Sequence, residues 1–185
     1  MNVDAQVFLR LGEKAKTLCF IDLEAGGLRA DYSSIYVISI KPFKAKTVSF
    51  SVSRPGDDSK IVKEAKDYIE SFDCWATYYG KGYDLKMLNT RALLHGLSPI
   101  EKRPHLDMYY FLKSAILTSR RSQGHLLSWL QTKQSKMSVS ADTWAKVPLE
   151  PETSIPILVK RCESDVAGLE SLYVRTKHLI TEIKI

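Results

Sequence analysis

The sequence predicts an α/β domain with a five-stranded mixed sheet, in which three antiparallel strands are followed by parallel ones and helices cover the flanks. Three observations predict this fold: three successive strand-like runs, a later alternation of strand and helix patterns, and a long amphipathic segment near the carboxyl end. Strands joined by short connections pair antiparallel, whereas strands separated by a helix pair parallel. The length of 185 residues indicates a single domain spanning 1–185.

The first three strands are predicted at residues 17–23 (TLCFIDL), 34–40 (SIYVISI) and 47–52 (TVSFSV). Each run is rich in β-branched and aromatic residues, which favour a pleated, half-buried backbone. The pair Gly26-Gly27 ends the first strand. The short break at Lys41-Pro42 is typical of an antiparallel connection, so the three runs predict a meander.

The middle of the chain changes to helical periodicity and then alternates. Apolar residues recur every three or four positions after Asp57 and Asp58, either of which can cap a helix. Residues 74–79 (CWATYY) predict a fourth strand. A second helix is predicted from Asp84, and Gly96 ends it.

The last part of the chain is predicted to be mostly helical. The predicted segments are a strand at 105–107, helices at 108–117, 124–130 and 157–180, and a loop at 131–151. The loop is predicted because the segment is polar and irregular. The last helix is amphipathic, and Pro156 is expected in its first turn, where a proline is tolerated.

Composition limits the possible classes of protein. The net charge of +6 favours anionic partners, nucleic acid first, although solubility alone accounts for a similar charge. Cys19, Cys74 and Cys162 are odd in number and widely spaced, which supports neither a disulfide framework nor a zinc site. Residues 1–16 lack the apolar run of a secretory signal, and no segment is apolar enough to span a bilayer. We therefore expect a cytoplasmic protein without a membrane partner.

Two carboxylates end the first predicted strand. Because strand side chains alternate, Asp22 and Glu24 are expected on the same face, roughly 6.5–7 Å apart along the backbone. Two like charges beside a buried strand raise each other's pKa, and a divalent cation removes that penalty. The alternative interpretation is a solvated strand end.

Two further acids extend this pattern. Asp84 lies at a strand-to-helix junction, where an N-cap explains it equally well, and Asp165 lies on the last helix beside apolar residues, where it could also face water. Each acid alone is ambiguous. Together with Asp22 and Glu24 they form an ordered set that chance produces less often.

The segments FIDLEAGGL, YYGKGYDLKML and RCESDVAGLESLY resemble the three motifs of the RNase H-like 3′–5′ exonucleases of the DEDD type. They are most similar to those of the small predicted exonucleases of phage and bacterial genomes. The resemblance implies an RNase H-like fold and a two-metal-ion hydrolysis of phosphodiester bonds in DNA or RNA. It also implies that Asp22, Glu24, Asp84 and Asp165 are catalytic and hold two divalent cations, Mg²⁺ or Mn²⁺. Hard cations of this kind prefer an all-oxygen ligand set.

The resemblance also implies a nucleic-acid partner, in particular single-stranded 3′ ends. Gly27 and Leu28 would approach the terminal nucleotide, although ordinary packing explains Leu28 equally well. Asp107, in a short strand before a helix, is a candidate auxiliary residue. Aromatic and basic residues around the second motif could stack bases and contact phosphates, Lys81 and Tyr83 among them. The choice between DNA and RNA, and the oligomeric state, stay open.

One position departs from the family pattern. Family members carry a His or Tyr four or five residues before the last Asp, where this chain has Arg161 and Lys160. Neither is a general base at neutral pH. Either His105 or His178 takes this role, or catalysis proceeds without a side-chain base, or Arg161 holds a phosphate in a protein that binds nucleic acid and cleaves it weakly.

Three hypotheses therefore remain. The first is a 3′–5′ exonuclease, and the second is a catalytically weakened nucleic-acid-binding module on the same fold. The third is a basic interaction protein whose acids are unrelated surface residues. An endonuclease is a lesser variant of the first, because one fold hosts several activities.

Overall fold

The computed structural model describes residues 17–180, which form one five-stranded sheet with helices on its flanks. The strands are β1 (Leu18–Ala25), β2 (Ile35–Pro42), β3 (Val48–Ser51), β4 (Cys74–Thr77) and β5 (His105–Asp107). Their order in the sheet is β3-β2-β1-β4-β5. The β1, β2 and β3 strands pair antiparallel, whereas β4 pairs parallel with β1 and β5 parallel with β4. The predicted fold class is therefore confirmed.

Six α-helices accompany the sheet in the described part of the chain, and a short 3₁₀ turn over Lys177–Leu179 follows the last of them. The helices are α1 (Ser59–Glu70), α2 (Asp84–Leu94), α3 (Met108–Ala115), α4 (Gln123–Trp129), α5 (Ala141–Lys146) and α6 (Pro151–Thr176). Between residues 17 and 180, no helix combines the length and apolar character needed to cross a membrane. The expectation about residues 1–16 concerns residues outside the described range.

The prediction of a continuous loop at 131–151 is wrong, because α5 lies within it. The Ser140 hydroxyl caps this helix by accepting the backbone N–H of Thr143 at 3.2 Å. Trp144 and Val147 then pack against the core. A helix this short shows too little periodicity to be recognised in a polar segment.

The last helix begins earlier than predicted. It starts at Pro151, which suits the first helical position, so Pro156 lies inside the helix rather than in its first turn. Pro156 is exposed, while Ile155 and Leu158 beside it are buried in the core. Burial of these side chains outweighs the backbone hydrogen bond that a proline cannot donate.

The two faces of β1 enter different parts of the core. Cys19, Ile21 and Leu23 belong to one apolar cluster, and Leu18 and Phe20 belong to the other. Since side chains alternate along a strand, Asp22 and Glu24 continue the face of Leu18 and Phe20 at the carboxyl end of β1.

Helix α6 packs against both clusters. Its residues up to Cys162 contact the first cluster, and its residues from Val166 onwards contact the second. Asp165 lies between these two stretches. The long helix therefore brings Asp165 to the end of β1.

Candidate functional site

Three carboxylates meet at the carboxyl end of β1. One oxygen from each of Asp22, Glu24 and Asp165 lies within 4.8 Å of the others. We call these three residues the acid group. Glu24 and Asp165 are buried, and Asp22 is partly buried. In residues 17–180 this is the one set of three or more His, Cys, Asp or Glu side chains close enough to hold a metal ion.

The electrostatics of the acid group are unfavourable in the absence of a cation. Burial raises the pKa of Asp22 well above its usual value, and the charges of Asp84, Asp165 and Glu24 raise it further. Burial also raises the pKa of Glu24, although Arg161 opposes that shift. In the absence of a cation, the ionised forms of Asp22 and Glu24 are therefore disfavoured relative to their protonated forms.

Asp84 lies beside the acid group but is not a member of it. Its Oδ1 accepts the backbone N–H of Leu23 at 3.2 Å, which ties the start of α2 to the strand between Asp22 and Glu24. Burial raises the pKa of Asp84 to about 7, although backbone hydrogen bonds oppose that shift. This carboxyl group therefore both fixes β1 and adds to the charge of the site.

Two basic residues partly neutralise these acids. Arg161 Nε lies 2.5 Å from Glu24 Oε1, and Lys136 Nζ lies 3.0 Å from Asp165 Oδ2. Arg161 also lies over the ring of Trp144, with its guanidinium carbon 5.8 Å from the ring centroid. Sequence reasoning missed Lys136, because it belongs to an irregular segment without any periodic pattern or motif.

One oxygen of the site is left unsatisfied. Asp165 Oδ1 is buried and has no hydrogen-bond partner among the described residues. With every group ionised, the four carboxylates carry two more negative charges than Lys136 and Arg161 balance. An orphaned carboxylate oxygen and an excess of two negative charges fit a hard divalent cation.

Asp107 lies outside the acid group and acts on the backbone. Its carboxylate accepts the N–H groups of Tyr79 at 3.0 Å, Lys81 at 2.9 Å and Tyr109 at 3.1 Å. It therefore caps α3 and holds the loop after β4. The structure gives Asp107 a positioning role in that loop.

The segment after β1 borders an open cleft. Tyr83 donates its hydroxyl hydrogen to the Gly27 carbonyl at 2.7 Å, which joins this segment to the start of α2. Leu28 is 81% exposed, so the interpretation of its side chain as ordinary core packing is wrong. The cleft has a volume of about 340 Å³, and its lining includes Leu28, Arg29, Tyr83 and Lys86.

The two histidines considered as bases lie outside the acid group. His105 is buried on β5, where its Nε2 lies 2.8 Å from the Thr77 hydroxyl. Burial lowers the pKa of His105 to about 4, and the charge of Lys81 adds to this shift. His178 lies on the 3₁₀ turn after α6, and Lys160 is exposed on α6.

Comparisons with known proteins agree with this architecture. The chain is similar to the family B DNA polymerase of the hyperthermophilic archaeon Pyrobaculum calidifontis, with 14% identity and a TM-score of 0.70. The similarity covers 86% of this chain but only 24% of the polymerase chain, and at this identity it shows the fold alone. No curated protein sequence matches significantly. Residues 19–176 match the family model of the RNase H superfamily, and since this match covers most of the chain, the protein belongs to that superfamily.

Proposed function

We propose that the protein is a metal-dependent 3′–5′ exonuclease of the DEDD type that hydrolyses phosphodiester bonds in DNA or RNA. The RNase H-like fold supports a nuclease-type activity and implies binding to nucleic acid. The observation that carries the finer proposal is the acid group at the end of β1, with its unsatisfied Asp165 oxygen. We also infer, from the motifs, a relation to the small exonucleases of phage and bacteria.

The acid group supports a metal-dependent reaction. Asp22, Glu24 and Asp165 would hold the cations, and Asp84 would add a fourth carboxylate beside them. Two bound Mg²⁺ or Mn²⁺ ions would activate the attacking water and stabilise the leaving 3′ oxygen. The hydrogen bond from Leu23 to Asp84 keeps the end of β1 in place for this purpose.

The cleft beside the acid group supports a site for the terminal nucleotide. The exposed Leu28 side chain offers an apolar contact for a base, and Tyr83 holds the neighbouring Gly27 backbone. Arg29 and Lys86 supply positive charge for phosphates at the same cleft.

Lys136 and Arg161 pair with carboxylates of the site and could instead pair with a phosphate of the substrate. Burial lowers the pKa of Arg161, but the charge of Glu24 and its hydrogen bond outweigh this effect, so the pKa is raised and Arg161 accepts no proton from water. Both basic side chains are donors suited to phosphate oxygens, which compete with the carboxylates for them. When they contact the phosphate, the four carboxylates are left free to hold the second divalent cation.

A second function is favoured by one observation. Arg161 pairs with Glu24 at the position where DEDD-type exonucleases carry a His or Tyr. An ion pair here occupies one of the candidate metal ligands and supplies no base. The alternative is therefore a nucleic-acid-binding module with weakened catalysis on the same fold.

The test is degradation of 3′-labelled and 5′-labelled single-stranded DNA and RNA with Mn²⁺, with Mg²⁺ and with EDTA. Asp22→Ala is the inactive variant, and Asp67→Asn, in an exposed ion pair on α1, is the matched control. Stepwise metal-dependent loss from the 3′ end in wild type and control alone supports the exonuclease. Cleavage of circular single strands would replace it by an endonuclease. Binding without cleavage would favour the alternative function.

A further inference from the structure

Four tyrosines form a second feature at the same end of the sheet. Tyr78 and Tyr79 follow β4, and Tyr109 and Tyr110 lie in the first turn of α3. We call them the tyrosine cluster. The ring centroids of Tyr79 and Tyr109 are 5.1 Å apart, and those of Tyr109 and Tyr110 are 5.2 Å apart, both in edge-to-face contact. The rings of Tyr79 and Tyr110 are stacked, with centroids 5.8 Å apart and an interplanar angle of 30°.

The members of the cluster differ in exposure. Tyr78 is half-buried and donates its hydroxyl hydrogen to the Arg121 carbonyl. Tyr79 and Tyr110 are each 44% exposed. Tyr79 and Tyr110 therefore form an aromatic surface that is open to solvent, and the Tyr109 ring packs against both of them.

The fold holds Tyr79 in an unfavourable backbone conformation. Its φ is +68°, in the left-handed region that non-glycine residues seldom adopt. Its N–H is bound by Asp107, and its carbonyl accepts the N–H groups of Gly82 at 2.9 Å and Tyr83 at 3.1 Å. A Cβ on Gly82 would lie 2.4 Å from the Tyr79 ring, so only glycine permits this ring position. Such strain persists where the surroundings over-determine it, which is common at binding sites.

The tyrosine cluster and the acid group share one edge of the sheet. The β1, β4 and β5 strands are parallel, so their carboxyl ends lie side by side, with β1 ending at the acid group and β5 at Asp107. Two strand spacings separate β1 from β5, or roughly 10 Å. Lys81, whose side chain is exposed, follows Tyr79 on the same loop and adds positive charge.

We propose that the tyrosine cluster is a stacking site for an unpaired nucleobase of a single-stranded nucleic acid, with Lys81 near the adjoining phosphate. The inference rests on the proposed nucleic-acid substrate and adds a second contact point away from the scissile bond. Bases within a duplex do not offer a free face, so the site selects unpaired strands. Stacking of this kind depends little on sequence, because every base has a π face.

The experiment measures fluorescence anisotropy of a short single-stranded oligonucleotide in EDTA, where cleavage is blocked. Matched oligonucleotides carry one abasic site, moved position by position. The variants are Tyr110→Leu, which removes the ring, and Tyr110→Phe, which keeps it. Trp129→Leu removes another exposed aromatic side chain, at the end of α4, and is the control.

We expect wild type to lose about tenfold in affinity when one particular base is missing. The Tyr110→Leu variant should bind the intact oligonucleotide about tenfold more weakly than wild type, and the abasic site should not weaken its binding further. The Tyr110→Phe and Trp129→Leu variants should bind like wild type. A 2-aminopurine at the sensitive position should be quenched on binding to wild type but not to Tyr110→Leu. Far-ultraviolet circular dichroism verifies the fold of each variant.

Three outcomes overturn this inference alone, and a fourth overturns the proposed function as well. The first is equal binding of wild type to every abasic oligonucleotide, and the second is discrimination by Tyr110→Leu as strong as that of wild type; in both cases the proposed function stands. A change in sedimentation of Tyr110→Leu, with unchanged oligonucleotide binding, would assign the cluster to contact between protein molecules. Absence of any wild-type binding to DNA or RNA would overturn the proposed function together with this inference.

Discussion

Two sites in this protein contain buried carboxylates: the charge of Asp58 is compensated by hydrogen-bond donors, whereas that of the acid group is compensated only in part. Asp58 is fully buried and accepts four hydrogen bonds: from the Ile35 N–H at 2.8 Å, from Arg91 at 2.8 and 2.7 Å, and from His95 at 2.6 Å. Burial by itself raises the pKa of Asp58, but the hydrogen bonds of Arg91, Ile35 and His95 outweigh it, so that the pKa is lowered.

The acid group lacks this compensation. The pKa values of Asp22 and Glu24 are raised by burial, and Asp165 keeps one buried oxygen without a partner in the described chain. Asp58 joins β2, α1 and α2 and stabilises the fold, whereas the charges of the acid group destabilise the folded protein in the absence of a cation. Hydrogen-bond partners for the carboxylate, rather than burial itself, therefore separate the structural Asp58 from the acids of the candidate site.

Removing one acid from the acid group should have the largest effect. We expect Asp22→Ala to reduce metal-dependent cleavage about 10³-fold or more, since a ligand of the charged reaction centre is lost. The metal-free variant should be as stable as wild type or slightly stabler, because like-charge repulsion decreases. Single-turnover cleavage and thermal unfolding measure the two effects. Normal cleavage by this variant would refute the assignment.

Removing a hydrogen-bond partner of Asp58 should reduce the stability of the fold. Replacement Arg91→Leu leaves Asp58 buried without its main partner and should lower the free energy of unfolding by about 3–5 kcal/mol. Urea denaturation measures this loss. The control is Lys63→Met, which breaks the exposed pair with Asp67 and should cause no resolvable change. Equal effects of the two variants would contradict the structural role of Asp58.

Removing a basic partner should make the acid group a stronger metal site. We expect Lys136→Met to bind Mn²⁺ about tenfold more tightly, because Asp165 loses its competing cation. Lys133→Met, in the same segment, is the matched control. Calorimetric titration with Mn²⁺ in the absence of nucleic acid measures the change. Weaker Mn²⁺ binding by Lys136→Met would show that the lysine supports the metal site.

The two sites should also differ in pH dependence. The pKa of Asp84 is about 7 in the folded protein and near 4 when unfolded, so the folded state holds the proton more tightly. Stability of the metal-free protein should therefore fall as pH rises from about 4 to about 7, and Asp84→Asn should remove up to about 4 kcal/mol of that fall. Asp58 has a lowered pKa, so its contribution is present above about pH 4 and is lost on further acidification. Urea denaturation in EDTA across this pH range measures both changes in the free energy of unfolding. If the free energy of unfolding of Asp84→Asn decreases with pH as much as that of wild type, Asp84 is not the cause of the decrease.

Local pattern in the sequence was sufficient to predict five strands, the first three antiparallel and the later ones parallel, but not their order in the sheet. Alternation along β1 also predicted that Asp22 and Glu24 share a face, since a strand repeats every two residues and needs no distant contact to do so. The pattern was weakest for α5, which is too short to show a period, and for the start of α6, where buried neighbours outweigh Pro156.

The sequence by itself therefore determined the sheet, the helix that carries Asp165 and the acids available for a site. Only the tertiary structure decided that Arg161 neutralises Glu24, that Lys136 reaches Asp165 and that Asp107 holds the Tyr79 backbone. The physical reason is that strand and helix periods depend on near neighbours, whereas an ion pair between residues far apart in the chain depends on how the elements pack. Such pairs set the charge of the site, and that charge exists only in the folded protein.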